Sequence, residues 1–151
     1  NIIFEMPTYH MICRQIEGHF PKYNGVIPQN NPYEIILDRH QFISSIKRII
    51  AFANQGTYLV KLSISTGKMT LSAQDIDFSI SAQETIPCQF EGEPINIGLK
   101  APPLADILNG ISSNEVRLQL ADPSRAGIIL PLENEENEDM LTLLMPMLIN
   151  E

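Results

Sequence analysis

The chain has 151 residues, 44% of them hydrophobic, and carries a formal net charge of −8. That length suits one domain with a scrap of a neighbour. The charge argues against tight, whole-surface binding to nucleic acid, and no apolar run approaches the roughly 18 residues of a membrane span.

Asn1 opens directly into the strand-like "IIFEM", with neither an initiator Met nor a signal peptide, so a piece of a longer protein is expected. Cys13 and Cys88 match no redox or zinc spacing and are expected to be reduced and buried, in a cytoplasmic setting. Residues 1–18 hold strand-like pieces on either side of Pro7. "HFPKYNGVIPQNNP" then crowds prolines and asparagines into an extended connector, because each Pro fixes its own φ and restricts its predecessor.

From Tyr33 the pattern is regular. "YEIIL" predicts a strand, and Asp38 with Gln41 forms a capping box that opens a helix. Along that helix Phe42, Ile43, Ile46, Ile49, Ile50 and Ala53 share one face at 3.6 periodicity, and Gly56 closes the segment. Three alternating runs follow, with Tyr58, Val60, Leu62 and Ile64 on one face of the first. Met69, Leu71 and Ala73 do the same in the second, and Phe78, Ile80 and Ala82 in the third, which predicts an antiparallel meander.

The order then repeats. "INIGL" is a strand, and "KAPPLADILNGI" begins a helix on prolines, with Leu104, Ile107, Leu108 and Ile111 on one face. The runs "VRLQLA", "AGIILPLE" and "MLTLLMPM" are three more strands, the last two separated by the solvated acidic loop "ENEENED". The plan is β-α-β-β-β twice, in an α+β, pseudo-symmetric domain whose halves cover each other's apolar faces.

Little here suggests catalysis. His10, His19 and His40 lack ligand-like spacing with Cys or acids. Asp75 and Asp77 lie in a hairpin turn, where Asp bonds its local backbone; a small hydrolase built on them would need a concave acidic pocket, and a convex turn is expected instead. Ser112 and Ser113 have no nucleophile elbow around them, and no glycine-rich phosphate loop is present. No catalytic residue, metal or cofactor is expected.

Two features exceed a plain core. Phe52 projects away from the Ile/Phe face, toward Ser45 and Arg48, and is either covered by a loop or a subunit contact. On the same helix Arg39, Lys47 and Arg48 avoid the apolar face; that is usually a solvated face, but three cations on one helix stand out in a chain with only ten. The second feature is the ending. A last core strand accounts for Leu143, Met145 and Met147 but leaves Leu144, Pro146 and Leu148 pointing the other way. Pro146 argues for an edge position, and an apolar edge is a liability unless something binds it. Methionine suits a groove that accepts several partners.

Together these pieces resemble the bacterial sliding clamp family, the beta subunit of DNA polymerase III. The likeness rests on "IEGHFPKYNGVIP" at residues 16–28, on "LLMPMLI" at the end, on "INIGLKAPPLADILNGI" in the place of the family's second helix, and on the doubled plan, the DNA-clamp fold. It implies that residues 1–18 end a second domain and residues 19–151 form a third. It further implies a homodimeric ring that slides on duplex DNA as a processivity factor, without catalysis of its own.

By position, the resemblance places a pocket for peptides from the polymerase, the clamp loader, repair polymerases and mismatch-repair proteins. Its walls are Pro21, Gly25 and Val26 with Leu143, Leu144, Met145, Pro146, Met147 and Leu148. Gly25 and Leu148 stand where many clamps carry arginine. The resemblance further implies a dimer contact at Ala51 and Phe52 and DNA-facing roles for Arg39, Lys47 and Arg48. The alternative is a stand-alone peptide-binding module using the same groove without a ring.

Overall fold

A computed structural model describes residues 1–149. The chain opens with β1 (Ile2–Glu5) and β2 (His10–Cys13), an antiparallel hairpin exposed on both faces. A connector with one 3-10 turn at Tyr23–Gly25 leads to β3 (Tyr33–Asp38) and α1 (Arg39–Ile49). The meander β4 (Leu59–Ser65), β5 (Lys68–Asp75) and β6 (Ile80–Pro87) follows. The second half runs β7 (Ile95–Lys100), α2 (Ala101–Gly110), β8 (Glu115–Leu120), β9 (Gly127–Pro131) and β10 (Thr142–Leu144). The β-α-β-β-β plan is present twice.

The halves exchange strands. One sheet has the order β10-β9-β8-β3 and the other β6-β5-β4-β7, so each half's first strand completes the other half's meander. Backbone bridges close both seams, Ile36 with Gln89 and Gly98 with Met147. Ile36 and Gly98 are each the fourth residue of their strand. The helix starts match as well. The first amide of α1, Arg39, donates to the Asn114 carbonyl, and that of α2, Ala101, donates to the Tyr58 carbonyl, each at 2.9 Å. Neither half buries its core alone, which makes the pair one cooperative unit.

The core fills the space between the sheets and the paired helices. From α1 come Phe42, Ile43, Ile46 and Ile49, and from α2 Leu104 and Leu108; they meet Val60, Leu62, Ile64, Met69 and Leu71. Local chemistry sets the helix ends. Asp38 accepts from the Gln41 amide at 2.7 Å, satisfying a free N-terminal donor of α1. Prolines in the first turn of α2 forgo donors that would be unpaired there in any case.

Three expectations need correction. Phe78 is 72% exposed in the β5–β6 turn, where Ser79 takes φ 54°; the inward face of β6 begins only at Ala82. Ser45 is fully buried rather than on an outer face, because β6 lies over that side of α1 and supplies Glu84 as its partner. Cys88 is buried as expected, whereas Cys13 is only half-buried because its hairpin lacks cover. The acidic stretch 133–139 is exposed throughout.

Candidate functional site

The ending is held by both sheets. Leu143 and Leu144 sit on β10 in register with Ile128 and Gly127 of β9. Beyond Pro146 the chain crosses to the other sheet, where the Met147 amide donates to the Gly98 carbonyl at 2.8 Å. Glycine at 98 is what allows this approach. A Cβ there would lie 2.8 Å from the Met147 carbonyl oxygen, 2.8 Å from Leu59 and 3.0 Å from Ile149.

The two sides of the ribbon do not divide as simple alternation predicts. Leu144 packs against the core, while Met145 is 62% exposed and Leu148 82% exposed. The crossover at Pro146 breaks the strand after Leu144, so parity does not carry through it. Leu143, Pro146 and Met147 are half-buried.

Beside the tail lies an open cavity of about 830 Å³. Met147, Leu148 and Ile149 line one side, and Leu59, Lys61 and Ala82 of the sheet line another. Leu59 carries no distinguishing motif in the sequence, and Ile149 closes the "LLMPMLI" ending without being singled out as a wall. Leu59 was nonetheless legible, because the alternation that buries Val60 and Leu62 turns Leu59 outward with Lys61. Pro21, Gly25 and Val26 are exposed in the connector and do not line this cavity. The structure therefore brings the tail residues together along β7 and β9, with the connector residues standing apart from that cavity.

Ala51 and Phe52 occupy a 3-10 turn that ends α1, with Phe52 37% exposed. This turn packs beside β6, the outermost strand of its sheet. Among the described residues the outer edge of β6 pairs with no other strand.

The three helix cations have different surroundings. Arg39 donates through Nε to the Ser113 carbonyl at 2.7 Å and through a terminal nitrogen to the Leu108 carbonyl at 3.1 Å, capping the C-terminal end of α2. Arg48 forms an ion pair with Glu84, including Nε to Oε2 at 2.9 Å. The buried Ser45 hydroxyl donates to Glu84 at 2.8 Å and accepts from Arg48 at 3.3 Å. Hydrogen bonds from Arg48 and then Ser45 hold the Glu84 carboxyl below the ordinary range, and Glu84 raises the Arg48 guanidinium in turn. Lys47 is exposed and forms no ion pair among the described residues.

The Asp75 carboxylate is buried and occupied by its own turn. It accepts from the Asp77 and Phe78 amides at 3.0 and 3.3 Å and from the Asn54 side chain at 3.4 Å. Asp77 faces the open cavity next to Ile76, without a second carboxylate on its walls among the described residues. Among the same residues no three His, Cys, Asp or Glu side chains converge as a metal site.

Residues 24–148 match the family described as "DNA polymerase III beta subunit, C-terminal domain". The chain is 32% identical to the beta sliding clamp of Treponema pallidum, over 97% of this chain and 40% of that protein. It is 28% identical to the beta sliding clamp of Caulobacter vibrioides, over 86% of this chain and 35% of that protein. Among solved structures, a Pseudomonas aeruginosa DNA polymerase sliding clamp superposes with a TM-score of 0.83 at 25% identity, covering 89% of this chain and 36% of that one. A Bartonella birtlesii sliding clamp superposes at 0.80 with 31% identity, covering 89% and 35%. The chain thus spans well under half the length of these relatives.

Proposed function

Because the chain belongs to the bacterial DNA polymerase III beta subunit family, we propose that it is the closing part of a sliding clamp, a processivity factor that encircles duplex DNA and tethers its polymerase. On this reading the β1–β2 hairpin ends the preceding domain, residues 19–151 are the third domain, and the exposed hairpin faces are covered by chain upstream. The relatives' greater length supports that division.

The single observation that carries the reading is the tail. Its backbone is pinned to Gly98 while Met145 and Leu148 stand open to solvent. An apolar edge fixed in place but left uncovered suits short peptides that bury Leu or Phe anchors. The proposed occupants are segments of the DNA polymerase III catalytic subunit, the clamp loader, repair polymerases and mismatch-repair proteins. Pro21, Gly25 and Val26 would form a second wall once the preceding domain supports the connector.

Ring closure as a homodimer would use Ala51, Phe52 and the open edge of β6, which lie side by side. The helix layer would face DNA, with Lys47 as its most available cation and Arg39 and Arg48 held largely by carbonyls and Glu84. A topological link needs no tight phosphate grip, and a sparse lining favours sliding. No cofactor or catalytic group enters this function.

Full-length protein tests it by sedimentation and by retention on DNA. A stable dimer that stays on nicked circular DNA and runs off linear DNA supports the ring. A monomer that binds peptide but is not retained on circles would replace it with the stand-alone peptide module.

A further inference from the structure

Among the described residues, Asn31 is the one hydrogen-bonding attachment of the connector to this domain. Between residues 14 and 32, the backbone bonds are local: Tyr23 to the Pro21 carbonyl, Gly25 to Lys22 and Val26 to Tyr23. The Gln29 side chain likewise reaches only the Ile27 carbonyl. Asn31 reaches further. Its Nδ2 donates to the Gln119 carbonyl at 3.0 Å and to the Ala126 carbonyl at 3.5 Å, spanning the two ends of the β8–β9 loop.

That loop opens β9, the strand against which β10 and the tail are laid. Ala126 precedes Gly127, whose register partner on β10 is Leu144. Asn31 thus ties the end of β8 and the start of β9, the strand on which β10 pairs, to the segment bearing Pro21, Gly25 and Val26. Its Oδ1 is buried without a partner among the described residues, a cost that an apolar residue of the same size would avoid. Retaining the amide there fits a need for its donors.

We infer that Asn31 is a positioning residue for the peptide groove: it latches the connector wall to the β8–β9 loop, and so sets the spacing between Val26 and the Met145–Leu148 tail. This rests on the groove proposed for the tail. With the latch gone, the connector spends only part of its time in the binding geometry, and apparent affinity falls by that fraction.

The test uses the full-length protein and a fluorescent synthetic peptide carrying adjacent Leu and Phe anchors. Asn31→Ala removes the amide, and Asn31→Asp keeps its shape while losing the donor. Both should weaken peptide binding about three- to tenfold, the scale set by losing one or two neutral hydrogen bonds, and both should speed amide exchange at residues 23–27. Exchange within β4 and β7 should not change. Unchanged peptide affinity in both variants overturns the inference, as does a loss of affinity with exchange accelerated across the whole domain. Absence of peptide binding by the unsubstituted protein would instead overturn the groove itself.

Discussion

Gly98 and Met147 meet backbone to backbone, and nothing larger than hydrogen at position 98 leaves room for the meeting. A methyl group there would sit 2.8 Å from a carbonyl oxygen and 2.8 Å from the Leu59 side chain. Gly98→Ala should therefore lift the tail away from β7. The expected cost is about 1–3 kcal/mol, the usual range for overpacking a close-fitted site, read by urea denaturation. Peptide binding should fall in the same variant, because Met147 and Leu148 shift with the backbone.

The side chain of Met147 can be tested apart from its backbone bond. Met147→Ala keeps the amide that donates to Gly98 and empties the side of the cavity that the thioether lines. In full-length protein it should weaken a polymerase-derived peptide by about 1–2 kcal/mol, as for a central interface anchor, measured by calorimetric titration. Unchanged affinity would remove Met147 from the groove.

The doubled plan was legible because each helix carries its own start signal and each meander its own alternation. Asp38 and Gln41 announced α1, and Pro102 and Pro103 announced the first turn of α2. The strand exchange was not legible, because alternation marks a strand's buried face but not its neighbour. The parity of the tail failed for a related reason: Pro146 ends β10 and sends Met147 to a different sheet. Ser45 was misplaced because a small polar side chain carries no sign of burial, and its cover depends on Glu84 from a distant strand.

That Ser45–Glu84–Arg48 cluster gives a pH signature. The folded carboxyl of Glu84 is held below its ordinary value, so the unfolded chain binds its proton more readily. The cluster's contribution is complete above the unfolded glutamate range, about 4.3, and is lost as pH falls through the lower folded value. The stability gap between wild type and Glu84→Gln should therefore be constant near neutrality and narrow under acid. Ser45→Ala should cost about 1 kcal/mol at pH 7, the worth of a satisfied buried hydroxyl. Urea titrations across the acid range check both.

Phe52 separates a loop-covered aromatic from a subunit contact. It is 37% exposed, and the 3-10 turn that carries it lies beside β5 and β6, so truncation is followed on stability as well as on association. In full-length protein Phe52→Ala should weaken the dimer by about 1–2 kcal/mol at each interface, seen as concentration-dependent dissociation in sedimentation. A dimer unchanged while the melting temperature drops would assign Phe52 to the fold alone.

The helix cations should divide by what already holds them. Lys47 is exposed and has no ion-pair partner among the described residues, so Lys47→Glu in the ring should leave folding intact. It should also lower the salt dependence of DNA binding by about one unit of slope for each phosphate the ammonium no longer neutralises. Arg39 bonds the Leu108 and Ser113 carbonyls at the end of α2. Removing it strands those acceptors, so Arg39→Ala should cost about 1–3 kcal/mol of stability with little change in salt slope. Salt-dependent DNA binding measured beside urea denaturation distinguishes the two. Were Arg39→Ala to reduce the slope and spare the fold, its guanidinium would have to leave α2 for phosphate when the ring is on DNA.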